Sequence, residues 1–229
     1  TTLFRSAMAQ QDVRYYLNGL LLEIGDDAIR AVATDGHRLA LSNLSAPTYL
    51  DETRQIIVPR KGVQELIRLL DDSEKNVAVT IGGSHIRATV DGFTFTSKLI
   101  EGRFPDYNRV IPSGGDKTVI ADRETLRSIL QRAGILSHEN IRGVRLELEP
   151  GELHVYANNP DQEQAEDTMA VEYQGEALQI GFNVGYLIDV MNVIREDQVR
   201  IVLSGPNASA LIESTGPDDN LYVVMPMRL

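Results

Sequence analysis

The 229-residue chain contains no cysteine and no tryptophan. The lack of cysteine excludes disulfide scaffolds, Cys-ligated zinc and thiol nucleophiles, and it points to a reducing, cytoplasmic setting. No apolar run reaches the roughly 20 residues of a membrane helix, and no signal peptide is recognisable. The four histidines, His37, His85, His138 and His154, show no metal-ligand spacing, so no metal and no cofactor is expected. The Gly-rich stretches lack the Lys-Ser/Thr of a P-loop, and no G-x-S-x-G elbow occurs. Basic residues are outnumbered, 22 against 33 acidic, for a net charge of −11. That balance argues against nonspecific polyanion binding by the whole surface but leaves room for a local basic face.

What is present is an ordinary hydrophobic content of 42% and an internal repeat. Gly19-Leu20-Leu21-Leu22-Glu23 and Gly143-Val144-Arg145-Leu146-Glu147 stand 124 positions apart, as do Ala33 and Ala157, and Val58-Pro59 and Phe182-Asn183. Phe104-Pro105 and Met225-Pro226 stand 121 apart. Each copy reads as a short amphipathic helix, then a hairpin of alternating residues. In the first copy the hairpin runs from Leu20 to Glu23, turns at Gly25-Asp26-Asp27 and returns from Ile29 to Thr34. A further strand and a second helix follow, Arg60 to Leu70 in one copy and Val184 to Arg195 in the other. More strands come after, with turns at Gly82-Gly83 and Gly205-Pro206. This pattern predicts an α+β protein of two antiparallel-sheet domains with two helices each, residues 1–110 and 111–229, joined by a linker near Asn108 to Asp116. The second copy opens with a strand, Lys117 to Ala121, before a helix capped by Asp122 that runs from Arg123 to Gly134. The first copy lacks that opening strand, and the chain is expected to be truncated at its N-terminus.

At 100° per residue, Val63, Leu66, Ile67 and Leu70 share one face of a helix, with Arg60, Lys61, Gln64 and Arg68 beside them. Leu126, Ile129, Leu130 and Ala133 share a face of another, flanked by Arg123, Arg127 and Gln131. Two basic stripes in an acidic protein are compatible with solvated helix surfaces and with a polyanion-facing surface. Gln10, Gln11, Arg14, Tyr15 and Tyr16 add groups suited to phosphate or base contact, or to core and cap positions. Acidic clusters at Asp71-Asp72 and Asp161 to Asp167 read as solvated charge. In Ala33-Thr34-Asp35-Gly36-His37-Arg38-Leu39, an Asp-x-His pairing could orient a general base, whereas Asp-Gly also makes a turn with positive φ. With no nucleophile nearby, the turn is the expected reading and no enzymatic activity is predicted.

Five separated stretches together resemble the bacterial β sliding clamp family, the processivity subunits of the replicative DNA polymerase III. They are Gln11 to Gly19, Ala33 to Ala40, Val58 to Gly62, Gly102 to Tyr107 and the terminal Val224 to Leu229. The resemblance covers the whole chain and implies the middle and C-terminal domains of a three-domain subunit, each with the DNA clamp fold, sheets outside and two helices on the inner face. Two such subunits would close head to tail around duplex DNA, held by sequence-independent phosphate contacts. On that basis the DNA-facing residues are Gln11, Arg14, Tyr15, Tyr16, Arg60, Lys61, Arg68, Arg103, Arg123 and Arg127.

The resemblance further implies a groove between the two domains for Gln-Leu-x-Leu-Phe-type peptides of polymerases, the clamp loader and repair proteins. One subsite would use Leu17, Thr34, Gly36, His37, Arg38, Leu39, Pro105, Arg109, Val110, Val223 and Met225. The other would use Asn183, Tyr186, Ser209, Pro226, Met227 and Arg228. A largely preformed apolar pocket suits two apolar peptide side chains, and adaptable methionine suits several partners. Asn207 departs from the small apolar residue of some clamps. Ile135 and Leu136, with Asp161, Glu163, Glu166 and Asp167 as an acidic flank, match the surface that meets the first domain of a second protomer. Without that domain, the chain is expected to be monomeric. The rival readings are an enzyme using Asp35 and His37, and a repeat-built scaffold with no DNA role.

Overall fold

The structure, a computed structural model, describes residues 2–46, 48, 52–70, 76–137, 141–161, 163–216 and 219–228, with side chains from residue 4 onward. His138, the Asp71-Asp72 pair and Leu229 lie outside the described residues. The chain divides into two units, Thr1–Asp106 and Tyr107–Leu229.

In the first unit, α1 (Thr2–Ala7) and a 3₁₀ turn at Tyr15–Leu17 precede four strands: β1 (Gly19–Ile24), β2 (Ala28–Thr34), β3 (Arg38–Ser45) and β4 (Arg54–Pro59). They pair antiparallel in the order β4-β1-β2-β3, with Leu21 opposite both Val32 and Ile57. Leu21, Val32 and Ile57, opposite one another, are buried, and so are their neighbours Leu20 and Val58, so both faces of the sheet are covered at this point. Helix α2 (Arg60–Leu69) follows β4 directly, and β5 (Ala78–Ile81), β6 (His85–Val90) and β7 (Phe93–Lys98) form a second antiparallel sheet. The hairpin between β6 and β7 turns on Asp91 and Gly92, both at positive φ. Beyond β7 the chain returns to β4, where the Ile100 N–H donates to the Ile57 carbonyl at 2.9 Å.

The second unit opens with a 3₁₀ turn at Tyr107–Arg109, β8 (Lys117–Asp122) and α3 (Arg123–Leu136). Next come β9 (Gly143–Glu149), β10 (Glu152–Asn158), β11 (Gln164–Ala170) and β12 (Leu178–Asn183), an antiparallel sheet in the order β11-β10-β9-β12. Helix α4 (Val184–Met191) leads to β13 (Gln198–Leu203), β14 (Ala210–Ser214) and β15 (Asn220–Val224), which pair in the order β15-β14-β13-β8. Both helices pack on the β9–β12 sheet, and Leu126, Ile129, Leu130, Leu187 and Met191 are buried in the core between.

The repeat inferred from the sequence is a repeat of structure. β2 and β10 have bounds 124 residues apart, as do β4 and β12, and α2 and α4 start at the same offset. Three expectations need correction. α4 stops at Met191 rather than Arg195, where the chain tightens into a three-residue turn, the Val193 N–H bonding the Val190 carbonyl at 3.1 Å. α3 runs two residues past Gly134 to Leu136, and Gly134, at ordinary contact distance from Val184, does not break it. On α2 only Val63 of the expected apolar face is fully buried, while Leu66, Ile67 and Leu70 are half-buried. No helix among the described residues is long and apolar enough to cross a membrane.

Candidate functional site

The turn between β2 and β3 is built by its own side chains. Gly36 sits at φ +90°, a conformation that favours glycine. The Asp35 Oδ1 accepts the main-chain N–H groups of His37 at 2.9 Å and Arg38 at 3.0 Å, and its Oδ2 pairs with Arg38 Nε at 3.1 Å. The Thr34 hydroxyl donates to the Arg38 carbonyl and accepts from the Gly36 N–H. Asp35 therefore works as a turn cap; its carboxylate is committed to main chain and guanidinium, as the Asp-Gly signal predicts. His37 is exposed, Thr34, Gly36 and Arg38 are half-buried, and Leu39 and Leu17 are buried core. The two leucines support the turn from beneath instead of presenting a surface.

Beside this turn runs the loop from Ala9 to Asn18. It is closed by Ala9 N–H to the Leu17 carbonyl, and by a reciprocal pair in which Asp12 N–H donates to Asn18 Oδ1 and Asn18 Nδ2 donates to the Asp12 carbonyl, each at 2.9 Å. The closed loop pushes Gln11 to a positive φ and leaves Val13 94% exposed, with Gln11, Arg14 and Tyr15 exposed beside it and Tyr16 half-buried. The Arg14 fork grips Asp12, Nε to Oδ1 at 3.0 Å and Nη2 to Oδ2 at 2.7 Å, and holds the Asp12 carboxyl down to about pKa 2. The sequence reading picked out Arg14 but missed Asp12 and Asn18; the Asp-x-Arg and Asp-x5-Asn spacings are the signals that carry them.

The basic stripes divide on inspection. Lys61 and Arg68 on α2 are exposed, Arg68 pairing with Glu65 at 2.8 Å, and Arg103 is exposed as well. Arg60 is half-buried, and its Nη1 donates to the Met8 carbonyl just beyond the end of α1 at 2.7 Å; burial pulls its pKa down. Arg123 repeats this in the second unit, donating from Nε to the Glu196 carbonyl at 2.8 Å and from Nη1 to the Met191 carbonyl at the end of α4 at 3.2 Å. Each arginine opens one helix and satisfies a carbonyl at the end of its antiparallel neighbour. The expectation that Arg60 and Arg123 face DNA is thus corrected: their guanidinium groups bind main chain inside their own unit. Arg127 is half-exposed, paired with Glu124 and 3.4 Å from Asn192 Oδ1.

In the second unit, the tail beyond β15 is fixed by one bond: Met227 N–H donates to the Gly181 carbonyl of β12 at 2.8 Å. Val223 and Val224 are buried in β15, whereas Met225 is 38% exposed, Pro226 and Met227 are half-buried and Arg228 is exposed. Asn183, two residues after Gly181, caps α4 by accepting the Gly185 N–H at 2.9 Å, and Tyr186 and Ser209 are half-buried. Asn207 is exposed. Val223 is strand core and not a free surface; the tail that follows it is the accessible apolar part. Arg109 and Val110 are exposed, as is Pro105 at the close of the first unit.

At the end of α3, Ile135 is 80% exposed and Leu136 half-buried. Of the acidic flank, Asp161 and Glu166 are exposed. Glu163 closes a turn by exchanging hydrogen bonds with Asn159, and Asp167 on β11 pairs with Arg132 Nε at 2.9 Å. Glu166, though exposed, is hydrogen-bonded to Tyr156, so Glu163, Glu166 and Asp167 are all used within the unit, which the sequence pattern did not reveal. The sheet face nearby carries a cleft of about 630 Å³ lined by Arg145, Tyr156 and Glu166, with the Arg145 guanidinium 4.9 Å above the Tyr156 ring. Among the described residues, no group of three or more His, Asp or Glu is placed to hold a metal ion.

The chain is similar in sequence and fold to known proteins. Residues 3–106 match the family model described as DNA polymerase III beta subunit, central domain, and residues 108–228 match that of the C-terminal domain. The chain is 58% identical over 223 residues to the beta sliding clamp of Pseudomonas putida and 48% identical to that of Escherichia coli, in each case across 97% of this chain and 61% of the relative. The crystal structure of the DNA polymerase III subunit beta from Pseudomonas aeruginosa, 55% identical, superimposes with a TM-score of 0.97 over 100% of this chain and 63% of that one. A sliding clamp of the same organism bound to griselimycin, 56% identical, gives 0.95 over 98% and 61%. The chain therefore spans 61% of the length of these curated relatives.

Proposed function

Because the chain belongs to the DNA polymerase III beta subunit family of bacterial sliding clamps, we propose that it serves in the cytoplasm as part of a processivity factor, a binding protein and not an enzyme. It holds duplex DNA through sequence-independent phosphate contacts and tethers polymerase, clamp-loader and repair proteins through short Gln-Leu-x-Leu-Phe-type peptides. Residues 1–110 and 111–229 are taken as its middle and C-terminal clamp domains. The DNA contacts are assigned to Gln11, Arg14, Tyr15, Tyr16, Lys61, Arg68, Arg103 and Arg127.

Peptide contact is assigned to two surfaces, one on each unit. On the first unit it is the capped turn Thr34 to Arg38 with Pro105. On the second it is Met225 to Arg228 with Asn183, Tyr186 and Ser209, and Arg109 and Val110 in the linker near Asn108 to Asp116 are assigned to peptide contact as well. Ile135 and Leu136, with Asp161, Glu163, Glu166 and Asp167 as their acidic flank, are assigned to the first domain of a second protomer. The observation that carries the peptide reading is the Met227–Gly181 hydrogen bond. It pins an exposed apolar tail that would otherwise fray, and a fixed apolar surface beside a helix start is what a peptide can use without a large ordering cost.

Calorimetric titration with a Gln-Leu-x-Leu-Phe-type peptide tests this, beside a form of the chain lacking residues 225–229. Micromolar-range binding that is lost on removal of the tail is the expected result. Equal binding by both forms would remove the tail from the site, and no binding by the intact chain would overturn the peptide reading.

A further inference from the structure

Arg14 touches both of the first unit's proposed surfaces. Its fork holds Asp12 in the DNA-facing loop, while Nη2 also donates to the Asp35 carbonyl at 3.4 Å. Asp35 is the residue that caps the peptide-facing turn. The guanidinium lies against Gly36, so closely that a Cβ there would stand 3.0 Å from Nη2 and 3.2 Å from Nη1. A side chain at position 36 would push the guanidinium aside, and the φ of +90° there favours glycine in any case. Asn18 holds the Asp12 main chain through both its N–H and its carbonyl, so the loop that carries the carboxylate stays in place. Yet the Arg14 side chain is 48% exposed, so an anion reaches it from solvent. A phosphate presents the same two-oxygen face as the Asp12 carboxylate and competes for the same fork.

We propose that Arg14 couples the two surfaces: a DNA phosphate that draws its guanidinium from Asp12 and the Asp35 carbonyl loosens the Thr34–Arg38 turn, so that duplex DNA and partner peptide weaken each other's binding to this unit. The inference rests on the proposed DNA and peptide contacts. By linkage the effect is reciprocal, and the element with two arrangements is the docked or undocked guanidinium.

The test measures anisotropy of a labelled Gln-Leu-x-Leu-Phe-type peptide on the 229-residue chain, with and without a saturating duplex of about 20 base pairs at about 50 mM salt. The duplex is expected to raise the peptide Kd about fivefold, the low end of ordinary couplings. In Arg14→Lys, which keeps the charge but not the fork, that ratio falls to near one, whatever the change in duplex affinity. In Arg14→Gln it also falls to near one, with weaker duplex binding. A merely structural role would change the separate affinities and leave the ratio alone. A wild-type ratio at or below one, with both ligands binding, overturns the coupling and spares the proposed function. Variants that keep the wild-type ratio also overturn it. Failure of peptide or duplex to bind the wild-type chain overturns the proposed contact and the coupling with it.

Discussion

Asp35 accepts two main-chain N–H bonds and an arginine contact within four residues, so its removal undoes a whole turn rather than one pair. Asp35→Ala is expected to cost about 1–2 kcal/mol in urea unfolding, since two turn N–H groups lose their acceptor while water partly replaces it. The same variant should weaken peptide binding through disorder of the turn, whereas His37→Ala, which leaves the cap intact, should affect peptide binding with little change in stability. Asp12 gives a pH counterpart. Its folded-state pKa lies near 2, below the ordinary 3.8, because Arg14 hydrogen-bonds the charged form. A depressed carboxylate contributes stability that is fully present above the unfolded value and is lost as pH falls through the folded one. Between about pH 4 and 2 the urea midpoint of wild type should therefore fall more steeply than that of Asp12→Asn. The sequence displayed the Asp-Gly turn because all its groups lie within five residues. It did not display the engagement of Arg60 or Arg123, whose acceptors Met8 and Met191 stand 52 and 68 residues away.

Helix starts and strand periods were the most readable elements, since each depends on adjacent residues. Asp122 was legible as a cap and does accept the Thr125 N–H at 2.8 Å; Asn183 serves α4 in the same way. Pro59 occupies the corresponding place before α2 with no side-chain cap. Asp122→Ala and Asn183→Ala are each expected to cost about 1 kcal/mol, and Asp122→Asn much less, as measured by thermal melting. Helix ends were less readable. Val193 and Ile194 continue the apolar character of α4, so only the hydrogen bonding shows that the helix has ended at Met191. The apolar face of α2 was readable as a side but not in depth: amphipathic spacing tells which side turns inward, not how much material covers it. The tail was read from the family resemblance, and the bond that makes it a surface, Met227 to Gly181, joins residues 46 apart.

At the scale of the molecule, the charge of −11 and the proposed affinity for a polyanion have to be reconciled. They are, if the cations that meet phosphate are few, exposed and clustered, while the acids lie elsewhere. The structure separates two kinds of arginine that the sequence pattern joins. Lys61, Arg68 and Arg103 are exposed; Arg60 and Arg123 are spent on helix-end carbonyls. Each cation that neutralises a phosphate adds about 0.9 to the slope of log K against log salt. Lys61→Gln and Arg68→Gln should each lower that slope by about 0.9 for duplex DNA, without discrimination between sequences and with little effect on the melting temperature. Arg123→Gln should do the reverse. It removes charged donors from the carbonyls of Glu196 and Met191, so it should cost about 1.5–3 kcal/mol in stability and leave the salt slope unchanged. Fluorescence titrations at several salt concentrations, read beside melting curves, distinguish the two classes. If Arg123→Gln lowered the slope while the protein melted as wild type, its guanidinium would be reaching phosphate after all, and the division of the basic stripes into contact and structural arginines would have to be abandoned.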